Sequence, residues 1–229
     1  MSERRTIDTG GLKLAYRVFG DPDLPALVFL HGLTSSGSSW DQVVPLVAAN
    51  WRIYVPDLRG HGQSEWPGTY SFELLRDDVL GFMNALELTQ PALIGHSMGG
   101  VAAYLLAQDH PARVSALVLE ETPPPLPQSR PLPERPSELL TFDWPVRPSI
   151  VRQVNNPDPT WWERIPEMEV PTLVVAGGSQ SPFPQEQIAA MAERFPNGQL
   201  LTIDVGHGVH NARPVEFAAA VTAFLAVHG

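Results

Sequence analysis

The stretch "PALIGHSMGGVAAYLLAQDHP", Pro91 to Pro111, decides how this chain is read. An apolar run, Pro91 to Ile94, ends in Gly95-His96-Ser97-Met98-Gly99-Gly100 and passes directly into an Ala/Leu-rich segment with helical character. Glycines two before and two after Ser97 remove the side chains that would collide in a sharp strand-to-helix turn. Such a turn strains the serine backbone and lifts its hydroxyl to the carboxyl end of a sheet, above a helix N-terminus. An ordinary glycine-rich loop is the competing reading. The apolar run before, Gly100 after and the helix-forming run beyond favour the strained turn.

Working outward, apolar strands and amphipathic helices alternate, which implies a largely parallel sheet covered by helices. Strands are expected at Leu12–Gly20 (an antiparallel edge), Ala26–Gly32, Arg52–Gly60, Pro91–Gly95, Arg113–Glu121, Pro171–Gly178 and Gln199–Asp204. Helices are expected at Ser38–Ala49, Ser71–Leu86, Met98–Asp109, Pro184–Phe195 and Pro214–His228, the second opening on a serine cap. No internal repeat interrupts this order.

Residues 122–170 break the rhythm. Pro123, Pro124, Pro125, Pro127, Pro131, Pro133 and Pro136, then Pro145, Pro148, Pro157, Pro159 and Pro166, oppose any continuous helix or central strand. A loop this long inside a compact domain reads as a lid. Its Phe142, Trp144, Trp161 and Trp162 are available to line an apolar site; a surface excursion packed down by its tryptophans is the plainer alternative.

The chain has 229 residues, 43% hydrophobic and 17% charged, which suits one domain spanning 1–229. It has no cysteine, so disulfides, zinc–thiolate centres and a cysteine nucleophile are excluded. A net charge of −10 without a basic cluster argues against nucleic acid or an anionic membrane as partner. The start, "MSERRTIDTGG", has no apolar core, and no stretch is long and apolar enough for a membrane helix, so a cytoplasmic protein is expected. There is no P-loop and no G-x-G-x-x-G, and His207 and His210 are joined by no carboxylate or cysteine in a recognisable ligand pattern. Neither cofactor nor metal is expected, and the partner is a small-molecule substrate.

A serine hydroxyl needs a base to act as nucleophile. Of seven histidines, His207 and His210 lie in "DVGHGVHNARP" (Asp204–Pro214), after the last strand and before the last helix. His207, directly after Gly206 at the strand exit, ranks above His210.

Together, "FLHGLTSSGSSW", "VPDLRGHGQS", "LIGHSMGG" and "VGHGVHNARPVEF" resemble the motifs of the α/β-hydrolase superfamily, in its single-domain, esterase-like form with a short proline-rich lid. The motifs span Ala26 to Phe217 in the expected order. The resemblance implies a mostly parallel central sheet flanked by helices, Ser97 as nucleophile, His207 as base, and an oxyanion hole from the backbone N–H groups of Leu33 and Met98. It also gives His31 and Asp57 supporting roles, His31 bracing the oxyanion loop.

The triad acid departs from the common pattern. Most relatives carry it after the strand "TLVVAGG", where this chain has Gln180 and Ser181. Some relatives, certain haloalkane dehalogenases among them, carry it one strand earlier, and here that strand ends "LVLEETPPP". Matched to the family pattern, Glu121 falls on the acid position; its neighbour Glu120, Asp204, Asp143 or no acid at all are the alternatives. Both glutamates simply meeting solvent at a strand end is the bland reading. On the first view Glu121→Gln lowers kcat by orders of magnitude, and Glu120→Gln matters little.

Dehalogenases and epoxide hydrolases of this fold use aspartate where this chain has Ser97, so the resemblance points instead to acyl transfer. Hydrolysis of carboxylic esters with short-to-medium acyl groups is the expected reaction, with Trp40, Phe142, Trp144, Trp161, Trp162 and Phe183 as pocket walls. Lactones, thioesters and carbon–carbon substrates fit the same machinery. A non-hydrolytic ligand binder, or a cyclase- or lyase-like tailoring enzyme on the same fold, is the alternative.

Overall fold

The computed structural model describes residues 3–228. Eight strands form one sheet: β1 (Arg4–Asp8), β2 (Lys13–Phe19), β3 (Ala26–Leu30), β4 (Arg52–Pro56), β5 (Ala92–His96), β6 (Leu117–Glu120), β7 (Thr172–Ala176) and β8 (Gly198–Thr202). Their order is β1-β2-β4-β3-β5-β6-β7-β8. β2 runs antiparallel to both neighbours, and β4 through β8 are mutually parallel.

Alternation along the buried strands makes two apolar layers, because successive side chains leave opposite faces. Val28, Leu30, Leu93, Leu117 and Leu119 face one core, under α2 (Phe72–Ala85), α3 (Met98–Asp109) and α6 (Gln185–Arg194). Leu27, Phe29, Ile94, Val118 and Val175 face the other, with Phe217, Val221 and Leu225 of α8 (Pro214–His228). Each such side chain, fully buried, stabilises the fold by about 1.5–3 kcal/mol relative to exposure.

α3 and α8 match their expected bounds, and Ser71 caps α2 by accepting from the Leu74 amide. Three segments differ. The expected helix Ser38–Ala49 is a 3-10 turn, Gly37–Trp40, followed by the short α1 (Val44–Val47). Trp40 is drawn into the core against Phe29, ring centroids 4.9 Å apart, and Pro45 suits the start of a new helix but not the interior of a continuous one. Strand β1 has no apolar alternation to announce it; it exists by pairing, Ile7 opposite Leu14. The region 122–170 is irregular as far as Phe142, then carries α4 (Val146–Asn155) and α5 (Pro159–Glu163). Prolines did not prevent α4, since Pro148 sits in its first turn, where the missing N–H costs nothing.

Candidate active site

The carboxyl ends of β5, β6 and β7 meet at one point. Ser97 follows β5 with φ 51° and ψ −113°, and its amide donates to the Glu120 carbonyl at 2.9 Å. Glu121 follows β6 with φ 46°, its amide donating to the Val175 carbonyl at 2.9 Å. Positive φ at a non-glycine residue costs about 1–3 kcal/mol and persists only where neighbours enforce it. At Ser97 the enforcing contact is helix on strand: a Cβ on Gly99 would lie 2.4 Å from the Leu30 carbonyl oxygen.

Glu121 is fully buried and turned towards the segment after β8. Its Oε2 lies 3.2 Å from His207 Nδ1 and accepts from the Ser181 hydroxyl, while Oε1 accepts from the Gly177 amide at 2.6 Å. Ser181 stands where the resemblance expected an aspartate. It supplies a donor to a carboxylate arriving from the neighbouring strand, a role sequence reasoning did not find. The other carboxylates are engaged elsewhere: Asp204 accepts from the Ser179 amide at 2.8 Å and Asp143 from the Tyr70 hydroxyl at 2.6 Å.

Glu120 does not meet solvent at the strand end; it takes a structural partner of its own. It is fully buried, and its carboxylate takes both the amide and Nδ1 of His210, at 2.9 Å and 2.7 Å. Burial alone would raise this carboxyl, but the imidazoles of His210 and His96 outweigh it and hold the group below its usual value. His210 is thereby sealed off, its Nε2 3.0 Å from Asn211 Nδ2. The ring of His207, by contrast, is 36% exposed. His96 locks the histidine segment: its Nε2 donates to the His207 carbonyl at 2.8 Å, and its ring packs against those of His207 and His210. Burial, above all, pushes His96 down to about 4, so it is neutral near pH 7.

His96, Glu120 and His210 bring potential metal-ligating atoms within 4.8 Å of one another, a grouping hidden in the sequence because the residues are far apart. His96 Nε2, both ring nitrogens of His210 and the Glu120 carboxylate already serve the protein bonds just described, so the cluster is a hydrogen-bond network rather than an open coordination site.

On the other side of Ser97, His31 Nδ1 donates to the Gly32 carbonyl and its Nε2 accepts from the Leu58 amide. His61 likewise accepts from the Thr34 amide, and Asp57 accepts from the amides of Gly37 and Gln63. Both histidines are buried and held neutral by desolvation, His61 at about 4. These contacts fix the loop carrying Leu33. The Leu33 amide donates to no protein acceptor among the described residues, and Met98, first residue of α3, carries one of the orphan amides of a helix start.

A cavity of about 50 Å³ opens at Ser97, lined among others by Leu33, Met98, Pro123, Arg130 and Phe183. Phe183 packs on His207, ring centroids 5.3 Å apart. No hydrogen bond joins Ser97 Oγ to His207 among the described residues. Of the expected aromatic walls, Phe183 alone lines this cavity. Trp40 is a core residue stacked on His210 at 4.2 Å, and Phe142 packs on His61. Trp144 and Trp162 lie under Arg147 and Arg194, and Trp161 borders an adjoining crevice with Phe72 and Pro123. Phe142 and Trp161 belong to the apolar core beneath the 122–170 segment, and Trp144 and Trp162 pack against it. A larger groove between β8 and α8 is lined mainly by aliphatic residues and holds none of the groups above.

Fold and site have the form of an α/β-hydrolase, and the family model described as alpha/beta hydrolase fold matches residues 25–144; the chain belongs to that family. It is similar to the sn-1-specific diacylglycerol lipase ABHD11 of Mus musculus, 28% identical across 98% of this chain and 89% of that protein. Other curated relatives match over about half of their own length or less. Among solved structures, a thermophilic esterase from Thermogutta terrifontis is 26% identical, covering 99% of this chain and 100% of that one at TM-score 0.83. The enol-lactonase from Burkholderia xenovorans LB400, 24% identical with TM-score 0.86 over 97% and 100%, shares the fold. These relatives support an enzyme, and specifically a hydrolase.

Proposed function

We propose that the chain is a serine hydrolase of carboxylic esters with short-to-medium acyl groups, acting through an acyl-enzyme. The observation that carries this reading is that Ser97, Leu33 and Met98 share one cavity whose Phe183 wall packs on a histidine bonded to a buried carboxylate. Ser97 is the nucleophile, His207 the base and Glu121 the acid. Ser97 Oγ turns to His207 Nε2 when substrate binds, in keeping with the long catalytic hydrogen bonds of unliganded enzymes. His207 takes the Ser97 proton as Oγ bonds to the ester carbonyl carbon, and Glu121 stabilises the resulting imidazolium. The amides of Leu33 and Met98 hold the oxyanion, each contributing about 3 kcal/mol in the transition state. The carbon–oxygen bond to the alcohol breaks, the alcohol leaves with the proton from His207, and a water activated by the same ring releases the acid.

The whole chain is read as one catalytic domain, with 122–170 as a lid whose Pro123, Ile150 and Val154 keep the acyl site small. Similarity to an esterase and a lipase is consistent with this chemistry. No helix among the described residues is long and apolar enough to cross a membrane. The test is a fluorophosphonate probe together with p-nitrophenyl acetate and butyrate, run beside Ser97→Ala. Labelling and turnover that both vanish in Ser97→Ala are expected. Absence of both in the wild type would instead favour a binder, and labelling without ester turnover a different acyl chemistry.

A further inference from the structure

The cavity at Ser97 contains one cation. Arg130 comes from the proline-rich segment and is half-buried. Its position is set from three sides. Its backbone is clamped by Asn155 at the end of α4, which accepts from the Arg130 amide and donates to the Arg130 carbonyl, both at 2.8 Å. Its Nε donates to Gln128 Oε1 at 2.9 Å. Its guanidinium lies over the Phe183 ring, 4.2 Å from the centroid, and the same ring packs on His207. Arginine, phenylalanine and histidine thus pack in series beside the nucleophile.

What this arginine lacks is a counter-ion. Acidic residues outnumber basic ones by 25 to 15, yet no carboxylate pairs with Arg130 among the described residues. Nη2 reaches only the Pro182 carbonyl, at a long 3.4 Å, and Nη1 has no protein acceptor among the described residues. Neither terminal nitrogen is among the buried polar atoms left without a partner, so the fork is open to solvent and free to take an incoming anion. The rest of the cavity wall is apolar or backbone, with Leu33, Phe72, Pro123, Ile150 and Val154, so nothing else in it would select a charged ligand.

We propose that Arg130 is a specificity residue that receives a carboxylate of the substrate, so that the favoured esters or lactones are those bearing a second, anionic carboxyl group a few atoms from the scissile carbonyl. This rests on the hydrolase reading above. The planar fork presents Nη1 and Nη2 as paired donors to a carboxylate, and the small cavity keeps the two substrate groups close.

The experiment compares kcat/KM for monoethyl glutarate with that for ethyl pentanoate, its uncharged counterpart, in the wild type, Arg130→Gln and Arg130→Lys. Acid release is followed by pH-stat. The wild type is expected to prefer the carboxylated ester by about tenfold or more. Arg130→Gln collapses that ratio towards one, and Arg130→Lys retains part of it. An unchanged ratio in Arg130→Gln, or no preference in the wild type, would overturn the proposal. Glutarate titrated calorimetrically into wild type and Arg130→Gln separates this inference from the hydrolase reading. Should Ser97 fail to label and no ester turn over, weaker glutarate binding in Arg130→Gln still supports the arginine's role, and equal binding defeats it. Circular dichroism of both variants confirms that they are folded.

Discussion

Two adjacent glutamates with opposite environments are the most informative residues in this chain. Glu121 reaches the partly exposed ring of His207, and Glu120 the sealed ring of His210. Their chemistry therefore separates on substitution. Glu121→Gln keeps the volume but donates where His207 must donate, so kcat should fall by about 10³–10⁴-fold in steady-state assays while the thermal midpoint stays close to wild type. Glu120→Gln takes from the buried His210 the carboxylate that accepts from its amide and Nδ1. It should cost about 3 kcal/mol in urea unfolding, with activity lost only as far as the fold is lost. Reversal of that pattern would exchange the roles proposed for the two side chains. The sequence placed both glutamates at the same strand end; it could not say which way each would face, because that depends on the twist at φ 46° after β6.

At the scale of elements, the turn between β5 and α3 depends on the close approach of α3 to β3. Gly99 faces the Leu30 and His31 carbonyls so tightly that no Cβ fits without movement. Gly99→Ala should destabilise the protein by about 1–3 kcal/mol and lower fluorophosphonate labelling of Ser97 more than it lowers helicity, because backing α3 away displaces the Met98 amide. Labelling at the wild-type rate would show that the turn tolerates a wider gap. This element was legible beforehand because its signals are local: glycine spacing, an apolar run and helix formers. The segment Ser38–Ala49 was not, since its periodicity reads as helix and only the pull of the core on Trp40 breaks it.

For the molecule as a whole, buried neutral histidines couple stability to pH. His31, His61 and His96 are all held below the ordinary histidine value by desolvation, the latter two at about 4. In the unfolded chain they titrate near 6.5. As pH falls from about 6.5 towards 4, the unfolded state takes up protons that the folded state refuses, so stability is full above this window and declines through it. Urea midpoints measured from pH 7 to pH 4.5 should fall steadily, and His61→Gln should flatten the decline. A midpoint constant across that range would contradict burial of these rings in the neutral form.

The sequence by itself determined the α/β architecture, the position of the tight turn at Ser97 and the carboxyl-end loops from which His207 and Glu121 come, because each is written in local pattern: periodicity, glycine placement, chain order. Tertiary structure alone decided that Glu120 would meet His210, that Ser181 would serve Glu121, that Trp40 would fill the core, and that Arg130 would stand unpaired beside the serine. Those outcomes depend on contacts between residues far apart in the chain, and no local preference encodes the direction in which a side chain leaves a strand end once the sheet has twisted and the loops have packed.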